Sequence, residues 1–346
     1  GNNWIDIGVG LPDVPTSAVF IDPSFPSHIY VGNDRNTGNL LFKNNADGTF
    51  EDISLSSVAG DSELLQMSSM GIAIDDYNRD GFIDIYITNF YPSPAGGNVL
   101  FYNNGDETFT EIAVDLGIEV NQIGWGCVFT DIDNDGFSDL YVANGCDLDL
   151  QQCDPNDFGF EPGYNNLDVL FKNNGDGTFS DVPEEDIGTY YSFLNYGVTS
   201  GDINNDGYPD IYIYSEENES KLYLNSGGSN HWLKVKLTGG MTENLESNQA
   251  FSNRNGIGAR VWISYSGGEY FKDVLCGTGY SSQHSIYPIF GLGDATIVDQ
   301  LIVEWPSGIR DTVYNIEADQ EIHIQEGMTQ LSSTDSLMLL TATDEL

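Results

Sequence analysis

Positive charge is what this sequence most lacks. Its 346 residues hold 11 Lys and Arg against 54 Asp and Glu, a formal net charge of −43 at pH 7. A field of that sign repels nucleic acid and anionic membrane surfaces, because both are met by Lys and Arg. Long apolar runs are missing too, and no stretch approaches the ~20 apolar residues that cross a bilayer as a helix. Helical periodicity is scarce, which argues against an α-rich fold. Catalytic motifs are absent: there is no HExxH, GxSxG, CxxC or GxxxxGKS/T, and the protein is expected not to be an enzyme. The four histidines, His28, His231, His284 and His323, are scattered along strand patterns and read as structural. GIGARV at Gly256 reads as a tight turn rather than a nucleotide site. Paired acids can cleave glycosides, but here the obvious carboxylates are committed to the loops described below.

Cysteine is sparse, with four residues. Cys146 and Cys153 bracket the loop CDLDLQQC; they either close a short disulfide, the reading adopted here, or remain two thiols. A bridge implies an oxidising compartment. Cys127 and Cys276 lie in apolar strand patterns and read as buried free thiols. No signal peptide is visible at Gly1, as expected of a mature secreted form.

Glycine and aromatics are plentiful: 39 glycines and 12% aromatic residues within 40% hydrophobic content. Together they favour many short strands joined by tight turns around a true core. Internal repeats organise them. LFKNNADGTFEDI from Leu41, LFYNNGDETFTEI from Leu100 and LFKNNGDGTFSDV from Leu170 each read as a hairpin, and a worn copy, LYLNSGG, begins at Leu222. Upstream stand GIAIDDYNRDGFIDIYITN from Gly71, GCVFTDIDNDGFSDLYVAN from Gly126 and GVTSGDINNDGYPDIYIYS from Gly197. Each gives a strand, an acidic loop and a second strand, and with its hairpin makes one four-stranded blade. AVFIDPSFPSHIYVGN is a first unit with a shortened loop that lacks the acids. The expected fold is all-β: a propeller of about four blades over 1–229, a β-sandwich over 230–327, and a tail over 328–346. WIDIGVGL near the start resembles the last strand of a unit and is expected to pair with the final blade, closing the ring.

The acidic loops share the form Asp-x-(Asp/Asn)-x-Asp-Gly-x-x-Asp. The expected ligands are Asp76, Asn78, Asp80, Asp84 and the Phe82 carbonyl in the first loop. In the second they are Asp131, Asp133, Asp135, Asp139 and the Phe137 carbonyl. In the third they are Asp202, Asn204, Asp206, Asp210 and the Tyr208 carbonyl. Alternate residues of a tightly curled loop aim oxygens at one centre, and Ca²⁺ takes six to eight oxygens at ~2.3–2.6 Å. Gly81, Gly136 and Gly207 fall where the chain must turn sharply. About three Ca²⁺ ions are expected, bound tightest by the four carboxylates of the second loop, with the others on the order of 10⁻⁴–10⁻³ M.

The DxDxDGxxD loops followed by LYxNNGDGTF-type hairpins resemble FG-GAP/VCBS repeats, which are also related to integrin α-chains. SNRNGIGARV from Ser252, GTGYSSQ from Gly277, FGLG from Phe290 and VEWPSG from Val303 resemble the ASPIC/UnbV domain. The order of the two is similar to cartilage-acidic-protein-like secreted proteins and their bacterial relatives. The resemblance implies an extracellular calcium-binding protein with an adhesion or matrix role, and no established activity for the second domain. Its partner is expected to be an extracellular protein or glycan, met through the long insertion 145–166. An alternative is a structural subunit of a fibre, self-assembled through WIDI or the tail; a second is a carbohydrate-binding module. Asn218 heads a sequon, a possible glycosylation site.

Overall fold

A computed structural model describes residues 16–21, 28–33, 39–45, 47, 49–58, 68–90, 97–120, 123–145, 168–183, 195–215, 219–240 and 252–330. The repeated phrases form successive antiparallel meanders. The first sheet is β1 (Thr16–Ile21), β2 (His28–Asn33), β3 (Leu40–Asn44) and β4 (Phe50–Asp52). The second is β5 (Ser69–Asp75), β6 (Asp84–Asn89), β7 (Val99–Asn103) and β8 (Phe109–Glu111). The third is β9 (Gly124–Thr130), β10 (Asp139–Asn144), β11 (Val169–Asn173) and β12 (Phe179–Asp181). The fourth is β13 (Asn195–Gly201), β14 (Asp210–Ser215) and β15 (Lys221–Tyr223). In every sheet each strand pairs with the next in sequence, which is the meander of a propeller blade.

The burial pattern follows from stacking these sheets face to face. β6 and β10 are buried at every residue, because a neighbouring sheet covers each of their faces. β14 alternates instead, and its Tyr212 and Tyr214 reach solvent on the outer face. The first strands of successive sheets lie side by side: β1 against β5, β5 against β9, and β9 against β13. This explains the glycine repeated five residues before each acidic loop. A Cβ on Gly71 would lie 2.4 Å from the Trp125 carbonyl oxygen, and one on Gly126 would lie 2.8 Å from both Tyr196 O and Val198 N. Here backbone meets backbone, and no flexible side chain can give way.

The fourth hairpin departs from its sequence expectation. LYLNSGG supplies β15, but the chain does not return along it. It continues into β16 (His231–Thr238), whose partners lie in another sheet. The Tyr208 hydroxyl donates to the Asn230 carbonyl at 2.6 Å, fixing this exit.

Seven strands make up the expected sandwich: β16, then β17 (Arg260–Tyr265), β18 (Gly268–Asp273), β19 (Ile289–Gly293), β20 (Ile297–Glu304), β21 (Arg310–Glu317) and β22 (Gln320–Gln325). They form two sheets, ordered β19-β16-β22 and β18-β17-β20-β21, with β16 and β22 parallel. Leu233, Val261, Ile263, Phe290, Leu301 and Ile324 fill the core between them. The segment after β18 enters the propeller. Gly279 N donates to Ile72 O at 2.9 Å, Ser285 N to Ser200 O at 2.9 Å and the Thr199 hydroxyl to Gln283 O at 2.6 Å. Tyr280 packs on Trp125 with ring centroids 5.4 Å apart. One loop of the sandwich thus touches the first strands of the second, third and fourth sheets.

Cys127 is a buried free thiol as expected, but Cys276 is exposed, because it follows the end of β18 rather than lying within a strand. The WIDIGVGL segment, the Cys146–Cys153 pair, the insertion beyond Gly145, Asn218 and the tail beyond Gln330 lie outside the described residues. The Gly126→Ala variant is expected to lose about 1–3 kcal/mol of stability through overpacking, read as a lower urea midpoint. An unchanged midpoint would show that the strands can separate at no cost.

Candidate metal centres

The three acidic loops join the first strand of a sheet to its second, so all lie at the same end of the stack. Their backbones match closely. The fourth residue of each is left-handed, with φ of 61° at Arg79, 56° at Asn134 and 60° at Asn205, and the glycine two places on has φ of 92°, 95° and 87°. Such a curl turns successive N–H groups inward. The first aspartate accepts two of them: Asp76 from Asp80 N and Gly81 N at 2.9 Å each, Asp131 from Asp135 N and Gly136 N at 3.1 and 2.8 Å, and Asp202 from Asp206 N and Gly207 N at 3.1 Å each. The residues expected to offer carbonyls, Phe82, Phe137 and Tyr208, donate their N–H to the loop's middle aspartate at 2.9 Å in every case.

The final aspartate of each loop opens the next strand and is tied to the hairpin. Asp84, Asp139 and Asp210 accept the N–H of Asn103, Asn173 and Asn225, each at 2.8 Å. Two of these asparagines reach back to the preceding loop: the Asn173 amide donates to Tyr77 O at 2.9 Å and that of Asn225 to Ile132 O at 2.7 Å, while the Asn103 amide donates to Ile83 O of its own loop at 3.1 Å. These asparagines were not singled out as functional from the sequence, although their fixed place in each hairpin phrase was the available signal.

The donor set suits a hard cation. One carboxylate oxygen from each of Asp131, Asp133 and Asp139 lies within 4.8 Å of the others. Asp84 Oδ2 and Asp133 Oδ1 are buried without a hydrogen-bond partner, a costly state for a carboxylate unless a cation meets it. Burial is the leading cause that pushes the acids up, Asp76 and Asp131 to about 7 and Asp84 to about 9, with neighbouring carboxylates adding to it. Oxygen-only ligands at this spacing fit Ca²⁺, and the absence of His and Cys ligands argues against zinc.

The sandwich lies directly on the loops, which the sequence did not foretell. The Arg79 guanidinium stacks between Phe137 and Tyr270, 4.0 and 4.1 Å from their ring centroids, and donates to Gly136 O at 3.0 Å. The Asn134 amide donates to Gly207 O at 3.1 Å, while Gly293 N donates to Asn134 O at 2.9 Å. Gly291 passes so close that a Cβ there would sit 2.1 Å from Asp131 Oδ2. Lys272 donates to Ser138 Oγ at 3.1 Å, and Lys234 reaches Asp202 Oδ2 at 3.2 Å. Of the four histidines, His231 pairs with Asp319 at 2.7 Å, His323 bonds Thr238 at 2.7 Å, and His284 is pushed down to about 4 by burial.

Loops of this form on propeller blades, with a sandwich after them, define a class of repeat protein. Residues 76–142 and 159–213 match the family described as FG-GAP-like repeat, and residues 249–331 match ASPIC and UnbV. The chain combines FG-GAP-like repeats with an ASPIC and UnbV domain. Among relatives it is similar to cartilage acidic protein 1 of Homo sapiens, 25% identical over 298 residues that make up 82% of this chain and 39% of that protein. The Xenopus tropicalis protein of the same name is 33% identical over 124 residues, 35% of this chain and 18% of that protein. The chain thus spans about two fifths of the length of the human relative. Among solved structures, a streptogramin B lyase aligns over 90% of this chain and 89% of its own at 12% identity, with a TM-score of 0.26, too low to carry an argument.

The raised carboxylates set a pH dependence for the metal-free protein. A folded pKa above the unfolded value means that the folded state holds more protons between the two, so stability falls as pH rises through that window. In metal-depleted protein the contribution of these acids is therefore expected to be lost as pH rises, through about 7 for Asp76 and Asp131 and about 9 for Asp84. This lowers the melting temperature from about pH 7 to 9, above the window in which the depressed His284 acts in the opposite sense. A melting temperature that climbs over this range would contradict the assignment.

Proposed function

We propose that this chain is a secreted, calcium-binding, non-enzymatic interaction protein whose ions rigidify the propeller loops. The observation that carries the reading is the matched geometry of the three loops, with Asp84 Oδ2 and Asp133 Oδ1 buried and unpartnered. In the first loop Asp76, Asn78, Asp80, Asp84 and the Phe82 carbonyl would hold an ion. In the second Asp131, Asp133, Asp135, Asp139 and the Phe137 carbonyl would do so, and in the third Asp202, Asn204, Asp206, Asp210 and the Tyr208 carbonyl. Each Ca²⁺ supplies two positive charges where the fold brings carboxylates together; its role is structural. Relatives named for cartilage support an extracellular setting. Among the described residues no helix is long and apolar enough to cross a membrane.

A rigid blade stack presents its outer face to partners. Tyr212 and Tyr214 are exposed on the fourth sheet, a surface suited to an extracellular protein or a stacked glycan. One observation favours self-assembly as a second reading. Leu222 is 47% exposed, whereas Leu41, Leu100 and Leu170, its counterparts in the other hairpins, are 5%, 0% and 5% exposed. Among the described residues, β15 pairs only with β14. A terminal segment of another copy could add a strand at that edge, and a neighbouring copy's sheet stacked on the outer face that Leu222 shares with Tyr212 would cover it as the next sheet covers its counterparts.

Thermal unfolding with calcium and after EGTA, followed together with particle size, tests both readings. A large loss of melting temperature at unchanged monomeric size is expected. A collapse in size on chelation would favour the building-block reading. No change in either, with no calcium by elemental analysis, would refute the metal assignment.

A further inference from the structure

The first and third loops offer identical donors: Asp76, Asn78, Asp80 and Asp84 in one, Asp202, Asn204, Asp206 and Asp210 in the other. Composition gives no reason to rank them, but their surroundings differ. Lys234 on β16 projects into the third loop, its ammonium 3.2 Å from Asp202 Oδ2, 3.0 Å from Asn205 Oδ1 and 3.6 Å from Glu321 Oε2. Both charged side chains of that contact are out of solvent, Lys234 at 6% exposure and Asp202 at 0%. Among the described residues no Lys or Arg forms an ion pair with Asp76, Asp80 or Asp84 of the first loop.

The second loop has lysines as well, but neither is a buried partner of a donor: Lys272 lies near Asp131 yet bonds Ser138 Oγ and pairs with Asp75, outside the donor set. Lys172 pairs with Asp133 and lies 3.9 Å from Asp135, but its side chain is 40% exposed. An exposed lysine can swing into water when an ion arrives. Lys234 has no such exit, because it is an interior residue of the middle strand of its sheet. It is also held at its base: Trp232, two residues earlier, covers Gly207 of the same loop so closely that a Cβ on Gly207 would meet the indole at 1.8 Å.

We infer that Lys234 is a resident cation of the third loop, holding that loop folded without metal and making it the weakest of the three calcium sites. The inference rests on the calcium reading above. A fixed ammonium on the first aspartate already answers its charge, and at a separation of a few ångströms it repels an incoming divalent ion across a medium of low effective dielectric. Two sites then fill readily, while the third answers to calcium only at higher concentration. The same contact anchors the sandwich to the propeller whether or not calcium is present, since both groups belong to the protein.

The test is a calorimetric calcium titration of the full chain, with melting temperature in EGTA as a second readout. The wild type is expected to show two tighter sites and one weaker by about tenfold or more, the size of effect a nearby unscreened charge produces. Asp206→Asn should abolish the weak step and Asp80→Asn a tight one; neither variant disturbs Lys234. Lys234→Met should bring the third site up to the affinity of the first. It should also lower the melting temperature in EGTA far more than in calcium, because Asp202 is left buried without a cation. Three equivalent sites in the wild type, a weak step lost in Asp80→Asn rather than Asp206→Asn, or an unaltered weak step in Lys234→Met would overturn the role of Lys234 and leave the calcium reading standing. Absence of any calcium heat, with none found by elemental analysis, would overturn both. If Lys234→Met does not fold, the two loop variants still decide, since they identify which loop is weak.

Discussion

A carboxylate taken out of water must be met by donors or by a cation, and the three acidic loops bury Asp84, Asp131, Asp139, Asp202 and Asp210 at the junction of two domains. Much of the local architecture follows from that demand. The curl of each loop exists to turn N–H groups onto its first aspartate, and the hairpin asparagines stand where they can serve the last. Scarce positive charge gathers at the same place: Arg79, Lys172, Lys234 and Lys272, out of 11 Lys and Arg in the chain, all lie on or against the loops. Away from the loops, the buried acids Asp168, Asp311 and Glu326 are met by hydrogen-bond donors instead.

Much of this was legible in the residues because the repeats carry their own phase. The Asn/Gly/Asp turns fixed the hairpins, and the alternation of β17 and β20 fixed sandwich strands with one buried face. Loop spacing located the carboxylates, since Asp-x-Asx-x-Asp-Gly implies a curl before any coordinate is known. What the residues could not reveal is pairing between distant segments. Nothing local to LYLNSGG says that the chain leaves β15 for a different sheet, because that choice belongs to β19 and β22, which flank β16. Likewise Lys234 sits in HWLKVKL as an ordinary inward or outward position of a strand, and only docking places it on Asp202. Cys276 was misread for a related reason: an apolar stretch continued past the point where β18 stops.

The repeated glycines show how one residue serves two levels of structure. Gly71 and Gly126 are invisible to any argument about a single strand, where glycine is unfavourable. They make sense once adjacent sheets press their first strands together at backbone distance. Gly291 and Gly207 do the same across the domain boundary, against Asp131 and Trp232. Close approach is thus the common requirement of blade stacking and of sandwich docking.

The fourth residue of each loop looks forward along the chain. Arg79 reaches Gly136 of the second loop, Asn134 reaches Gly207 of the third, and Asn205 meets Lys234. Every link but the last joins one repeat to an identical point on its successor. Such a row has no built-in length: a blade duplicated in the gene arrives with both halves of the joint, and the terminal contact with the sandwich need not be reinvented. At the loops, then, one blade more or fewer would be joined by the same contacts, and only the last loop meets the lysine.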